Sequence, residues 1–263
     1  MQLSLYQVGA FTSRLFGGSP AAVVPLQQWL ADETLQAIAT ENAVPETAFF
    51  VQNTPGVYHI RWFSPIREID FCGHATLASA FVLMQRLGAP RQLTFWAEAV
   101  GELPVRQLPS GSIELNFPDR APTPLAQVPA ALAEGLSITP VEYWASPQAY
   151  FAVYANEQQV AEVVPALARL IELAPRDVVV TAPGLEHDFV SRYFWPANGG
   201  DEDPVTGSIH AGLAPFWAAR LGKAELVALQ ASRRRGVLNC RVAGGRVYVA
   251  GPAVMYLEGT INL

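Results

Sequence analysis

Arg61-Trp62-Phe63-Ser64-Pro65 and Arg192-Tyr193-Phe194-Trp195-Pro196 are two versions of one phrase, the second 131 residues after the first. Downstream, Cys72-Gly73-His74 and Arg86-Leu87-Gly88 return as Thr206-Gly207-Ser208 and Arg220-Leu221-Gly222, now at an offset of 134 residues. A three-residue insertion around Gly199 to Asp203 accounts for the change. The echo continues with Gly101-Glu102-Leu103-Pro104-Val105-Arg106 against Gly236-Val237-Leu238-Asn239-Cys240-Arg241. Gly111 before Ser112-Ile113-Glu114-Leu115 then faces Gly245 before Arg246-Val247-Tyr248-Val249. Blocks recurring in one order read as a tandem duplication, and such self-similarity decides the fold before any finer reading.

Within the first copy, β-branched and aromatic runs predict strands at Leu3–Val8, Ala21–Val24, Ala48–Val51, Tyr58–Phe63, Leu103–Leu108 and Ser112–Phe117. Two helices interrupt them. One follows Asp32, expected as its N-cap, carries Leu35, Ile38 and Ala39 on one face and ends at Pro45. The other runs from about His74 to Leu87 and stops at Gly88. It is apolar nearly all round, so it is expected to be buried and wrapped by its own sheet. The second copy repeats this, with its buried helix near Ser208 to Leu221. The expected fold is α+β: two similar domains related by a pseudo-twofold duplication, each a mostly antiparallel sheet curled around a central helix. Periodicity breaks at Asp119–Pro124, which sets the halves at 1–118 and 119–263, with the final residues packing back on the first. A duplication of this kind leaves a cleft between its halves, and clefts at domain interfaces are favoured ligand sites.

The bulk numbers narrow the function. Of 263 residues, 51% are hydrophobic and 15% charged, enough apolar material for a sizeable core. The net charge is −6, and the only dense basic run is Arg233-Arg234-Arg235, so a nucleic-acid partner is not expected. Two cysteines, Cys72 and Cys240, make no disulfide framework. No signal-peptide pattern opens the chain, and the apolar stretch Ala75–Met84 is too short to span a bilayer. A cytoplasmic protein without a membrane partner is the expectation.

The repeat also locates the chemistry. Asp70-Phe71-Cys72-Gly73-His74-Ala75-Thr76 and Asp201-Glu202-Asp203-Pro204-Val205-Thr206-Gly207-Ser208 each lead into the buried helix of their half. A helix start offers free N–H groups to a carboxylate, and Gly73 and Gly207 let a ligand approach the backbone. The expected ligand is therefore a small anion, a carboxylate or a phosphate. Proton-transfer groups gather nearby: His74 in one turn, Asp203 in the other, with Ser208 matching His74. Glu46 stands before the apolar Phe49 and Phe50, where a carboxylate would lose hydration and become useful as an acid or base. His59, His74, His187 and His210 lack ligand-like spacing, so no metal is expected, and no glycine-rich loop signals a cofactor.

These residues carry a resemblance. Phe11-Thr12-Ser13-Arg14-Leu15-Phe16-Gly17-Gly18-Ser19-Pro20-Ala21-Ala22-Val23-Val24, Glu46-Thr47-Ala48-Phe49, Arg61–Pro65, Asp70–Thr76 and Glu202–Ser208 together resemble the PhzF family, whose fold is that of diaminopimelate epimerase. The resemblance implies a homodimer and a cofactor-free isomerisation, the proton shift on a dihydro-hydroxyanthranilate being the family's characterised reaction. It implies Glu46 as the catalytic carboxylate, His74 and Asp203 as its assistants, and Gly73 and Ser208 as carboxylate contacts. Gly207, Cys72 and Thr206, in the same turns, complete the candidate binding set. Cys72 stands where related epimerases place a thiol base, so an amino-acid or hydroxy-acid epimerase is one alternative and a non-catalytic small-acid-binding protein another.

Overall fold

Strand pairing shows how the sequence becomes sheet. In the computed structural model, which describes residues 1–263, the chain splits into two units: Met1–Asn116 with Ala250–Leu263, and Phe117–Val249. The first unit contains β1 (Gln2–Ala10), β2 (Ser19–Leu26), α1 (Asp32–Asn42), β3 (Glu46–Thr54), β4 (Val57–Phe63), β5 (Glu68–Ile69), α2 (Gly73–Gln85), β6 (Gln92–Ala97), β7 (Gly101–Gln107) and β8 (Ile113–Pro118), the last crossing the unit boundary. The second contains β9 (Thr123–Pro124), α3 (Ala130–Glu134), β10 (Glu142–Ala145), β11 (Ala149–Val153), α4 (Glu157–Glu162), α5 (Leu167–Leu170), β12 (Asp177–Pro183), β13 (Phe189–Trp195), β14 (Gly200–Asp203), α6 (His210–Leu221), β15 (Glu225–Gln230) and β16 (Gly236–Ala243). β17 (Arg246–Gly251) leads back to β18 (Ala253–Asn262) in the first unit.

The two units share one topology. In the first, β1 pairs antiparallel with β2, β2 runs parallel to β3, and β3 is antiparallel to β4. β4 then takes β5 antiparallel at one end and β6 parallel at the other, and β6 continues antiparallel to β7. In the second, β10, β11, β12, β13, β14, β15 and β16 repeat those pairings in the same order and sense. A parallel pair needs a crossover, and each falls where helices interrupt the strands. β18 completes the first sheet beside β1, and β9 takes the matching place beside β10. The fold is α+β, mostly antiparallel.

The expected strands fall on β1, β2, β3, β4, β7 and β8, with Leu108 one residue past the end of β7 and Ser112 one residue before the start of β8. β6 was not expected, although Leu93, Phe95 and Ala97 alternate with more exposed neighbours in the period of a half-covered strand. The expected insertion resolves into local geometry. Phe63 and Glu68 pair across a short connection, whereas Phe194 and Glu202 pair across a longer one with a bulge and a 3₁₀ turn at Pro196–Asn198.

The central helix of the first unit is buried along most of its length and lies against β1, β2 and β3. Its small residues Ala75, Ala78 and Ala80 allow close approach, and its buried hydroxyls turn back on the helix itself: Thr76 Oγ1 donates to Cys72 O at 2.6 Å and Ser79 Oγ to Ala75 O at 2.8 Å. The other face of the sheet is covered by α1, whose Leu35, Ile38 and Ala39 pack with Val24, Phe49 and Phe63. Burying each of the larger side chains is worth roughly 1.5–3 kcal/mol. Asp32 is not the N-cap of α1. It is the first helical residue, Ala31 is the cap without a side-chain bond, and the Asp32 carboxylate instead accepts from Arg61 Nη1 at 2.8 Å. The helix stops at Asn42, before Pro45, because Ala43 turns left-handed with φ 50°.

In the second unit α6 carries Pro215, which cannot donate to Ala211 O. The backbone N–H of Arg120 takes that carbonyl at 2.9 Å, which restores the lost bond.

Candidate active site

In the first unit three side chains converge from two elements. Glu46 is the opening residue of β3, and the strand's alternation puts Phe49 on the α1 face and leaves Glu46 with Phe50 on the α2 side. Cys72 is the N-cap of α2 and His74 lies in its first turn. Their donor atoms lie within 4.8 Å of one another. All three are buried, Glu46 at 5%, Cys72 at 6% and His74 at 4% exposure.

His74 Nε2 is 2.8 Å from Glu46 Oε2. The contact is short but poorly aligned, so Oε2 is a buried oxygen without a well-formed hydrogen bond. Cys72 Sγ lies 3.5 Å from His74 Nδ1 and 3.8 Å from Nε2. Burial by itself would lower the His74 pKa, but Cys72 and the Glu46 carboxylate outweigh it and hold the imidazole well above its ordinary value. Burial, reinforced by the charge of Glu46, pushes the Cys72 thiol up to about 11. A buried Glu46 oxygen without a well-formed hydrogen bond thus lies beside an imidazole that holds its proton above the ordinary range. Gly73, the first residue of α2, begins the turn whose N–H groups precede the helical ladder; that ladder starts with Thr76 N–H to Cys72 O at 3.1 Å.

The second unit builds the matching turn differently. Asp203 ends β14, and its Oδ2 accepts from Thr206 Oγ1 at 2.5 Å. Gln230, fully buried, ties the turn down: its Oε1 accepts from Thr206 N at 2.7 Å and its Nε2 donates to Asp203 O at 2.9 Å. Gly207 and Ser208 form a turn ahead of α6, with His210 N donating to Gly207 O and Ala211 N to Ser208 O. The helix therefore begins at His210, two residues later than the expected Ser208. Ser208 Oγ accepts from Gln148 Nε2 at 2.9 Å. The repeat persists at atomic level, since His210 Nδ1 sits 2.9 Å from Thr206 O just as Thr76 bonds Cys72 O.

Sequence reading missed a polar cluster here. Asp177 opens β12, and its two oxygens accept from Tyr193 OH at 2.6 Å and Asn198 Nδ2 at 2.8 Å. Gln148 Nε2 also reaches Tyr193 OH, at 3.3 Å, so Asp177, Tyr193, Gln148 and Ser208 form one chain. Burial raises the Asp177 pKa against the lowering effect of those two bonds. The signal was present: Asp177 stands at the 131-residue offset from Glu46 that relates Arg61 to Arg192.

The chain has extensive likenesses. The family model described as a phenazine biosynthesis-like protein (PhzC-PhzF) matches residues 8–259. A Pseudomonas aeruginosa protein named as an uncharacterized isomerase is 47% identical, with both chains covered in full. The crystal structure of a PhzF-family phenazine biosynthesis protein from Enterococcus faecalis superposes with a TM-score of 0.94 at 39% identity, again over 100% of each chain. A hydroxyproline epimerase from Agrobacterium vitis shares the fold, with a TM-score of 0.58 at 12% identity over 99% of this chain and 92% of the other.

Proposed function

The chain belongs to the phenazine biosynthesis-like (PhzC-PhzF) family, and from that premise we propose that it is an isomerase that shifts a proton on a small, cyclic carboxylic acid by general acid–base catalysis. The observation that carries this reading is the buried contact of Glu46 Oε2 with His74 Nε2 at 2.8 Å, in which the carboxylate oxygen lacks a well-directed hydrogen bond. An under-bonded carboxylate in a dry site is a ready proton acceptor, and an adjacent imidazolium is a ready donor.

Glu46 takes a proton from a ring carbon and returns it to another. His74 holds the carboxylate in place and supplies or recovers a proton as charge moves onto the substrate. The first-turn N–H groups of α2, open at Gly73, receive the substrate carboxylate, and Cys72 lines that contact. In the second unit Asp203 is assigned an assisting role in proton handling, and Thr206, Gly207 and Ser208 are assigned to substrate binding. Ser208 Oγ already accepts from Gln148, which frees its own proton for an anion. Cys72, with its thiol pushed up to about 11, is a poor thiolate base at neutral pH, which weighs against a thiol epimerase.

The test is solvent isotope exchange. Small cyclic and amino carboxylic acids are incubated with the protein in heavy water and read by mass spectrometry. Deuterium entering a carbon position with wild type and not with Glu46→Gln supports the reading. Exchange that persists in Glu46→Gln overturns it.

A further inference from the structure

The expectation of no metal site rested on the spacing of the histidines, and spacing along the chain does not register a ligand contributed by another strand. Glu46, Cys72 and His74 bring one carboxylate, one thiol and one imidazole to a common point, all at least nine-tenths buried. We propose that these three side chains form a binding site for a thiophilic divalent cation of the zinc class, and that its occupancy blocks the proton-transfer pair.

The ligand set favours that class, because thiolate and imidazole together select borderline-soft ions over magnesium or calcium. The geometry admits it after a local rearrangement. With metal–sulfur bonds of about 2.3 Å and metal–nitrogen and metal–oxygen bonds of about 2.1 Å at tetrahedral angles, sulfur and nitrogen ligands sit about 3.6 Å apart and nitrogen and oxygen about 3.4 Å. Cys72 Sγ is 3.8 Å from His74 Nε2 and 3.5 Å from Nδ1, so the sulfur lies beside the ring, and the imidazole has to turn for its Nε2 lone pair and the sulfur to share one ion. His74 Nε2 to Glu46 Oε2 is 2.8 Å and has to open by about 0.6 Å. The opening exchanges a crowded, misaligned contact for two bonds to the ion.

Glu46 Oε2 supplies the second observation. It is a buried carboxylate oxygen, aimed into the cluster, with no hydrogen bond of its own. Three protein ligands leave a fourth position for water or for a carboxylate. Uptake releases the thiol proton of Cys72, and the proton on His74 Nε2 where present, to solvent; no electrons are exchanged. Because the ion takes the lone pairs of Glu46 Oε2 and His74 Nε2, cation binding and proton transfer exclude each other. The inhibitory consequence rests on the isomerase reading, whereas the binding itself does not.

The probe is cobalt(II), added to chelator-treated protein, because a cobalt–thiolate bond produces a charge-transfer absorption in the near ultraviolet. One cobalt per chain with this band is expected for wild type, with zinc displacing it. Cys240→Ser, which removes the other buried free thiol, is expected to keep the band. Cys72→Ser is expected to lose it, and Glu46→Gln to bind at least tenfold more weakly. Circular dichroism checks each variant for folding, and if Cys72→Ser fails to fold, the other two still decide. A band that survives in Cys72→Ser, disappears in Cys240→Ser, or holds its affinity in Glu46→Gln overturns the site, as does wild type that binds no cobalt. Isotope exchange on the same metal-free wild type separates the two ideas. Exchange without cobalt binding removes the metal site alone, and cobalt binding without exchange removes the isomerase alone.

Discussion

Glu46 and Asp177 occupy the same register position in their respective units: Glu46 faces Ala21 across the β2–β3 pair, and Asp177 faces Ala149 across the β11–β12 pair. The next residues agree as well, Thr47 pairing with Phe63 and Val178 with Phe194. Their surroundings have diverged. Both Asp177 oxygens are satisfied, by Tyr193 and Asn198, while Glu46 Oε2 has only the misaligned His74 contact. Matched positions thus carry two carboxyl groups, one held in a hydrogen-bond network and the other without a well-directed bond.

Glu46→Gln is therefore expected to keep the fold at some cost in stability, since Oε2 makes no well-directed hydrogen bond that the amide would forfeit but its charge faces the buried imidazole of His74. Proton transfer to a positioned carboxylate contributes about 10²–10⁴-fold, and the variant's isotope-exchange rate should fall by that order. Mass spectrometry of deuterium uptake, together with the melting temperature, checks both halves of this expectation.

Asp177→Ala should show the reverse pattern. It strands the Tyr193 hydroxyl, itself nearly buried, and an unsatisfied buried group costs about 1–3 kcal/mol. A lower midpoint of urea unfolding with exchange retained is expected. Unchanged stability would contradict the structural role given to Asp177.

How much of this was legible in advance follows from what a linear reading can count. The duplication, the two buried helices and the turns holding Cys72, His74, Asp203 and Ser208 were readable because each repeats at a fixed offset. Asp177 stands at the same offset, but an aspartate facing a glutamate is not an identity, so matching identical residues does not reveal it. Gln148 and Gln230 were not readable: each acts from a strand or loop far along the chain, through bonds that exist only once the sheet has closed. Glu46 was grouped with the Cys72–His74 turn from the sequence and the resemblance, but the contact distances between them exist only in the folded chain. The N-cap given to Asp32 failed for a further reason, since its partner Arg61 lies on another strand and competes with the local capping bond.

Arg61 and Arg192 illustrate how the two copies carry one device at different energies. Each grips a glutamate with two bonds, Arg61 to Glu68 at 2.7 and 2.6 Å and Arg192 to Glu202 at 2.8 and 3.0 Å. Each also lies over the phenylalanine two residues on, Phe63 or Phe194. Arg61's other partner, Asp32, is largely exposed, and solvent-screened pairs are worth about 1 kcal/mol or less. Arg192 additionally donates to the carbonyls of Val160 and Val163 at the end of α4, at 3.1 and 2.9 Å. Arg192→Ala should cost about 3 kcal/mol and Arg61→Ala about 1. Paired denaturant titrations check the ranking, and equal losses would refute it.

His210 sets an acid limit on stability. It is fully buried, its Nδ1 bonds the Thr206 carbonyl, and its Nε2 has no partner. Burial, only partly countered by the Thr206 bond, pulls its pKa down from the ordinary 6.5 to about 4. The unfolded chain therefore takes up this proton before the folded one does. The stabilisation is fully present above about pH 6.5 and is lost as pH falls from there toward 4, by about 3 kcal/mol at 1.36 kcal/mol per unit. His210→Gln keeps a donor for the Thr206 carbonyl but cannot titrate. It should be less stable than wild type at pH 7, from imperfect fit, and the gap should narrow steadily between pH 6.5 and 4. Urea unfolding at a series of pH values reads this difference directly, and a gap that stays constant across the window would show that His210 does not carry the buried proton deficit.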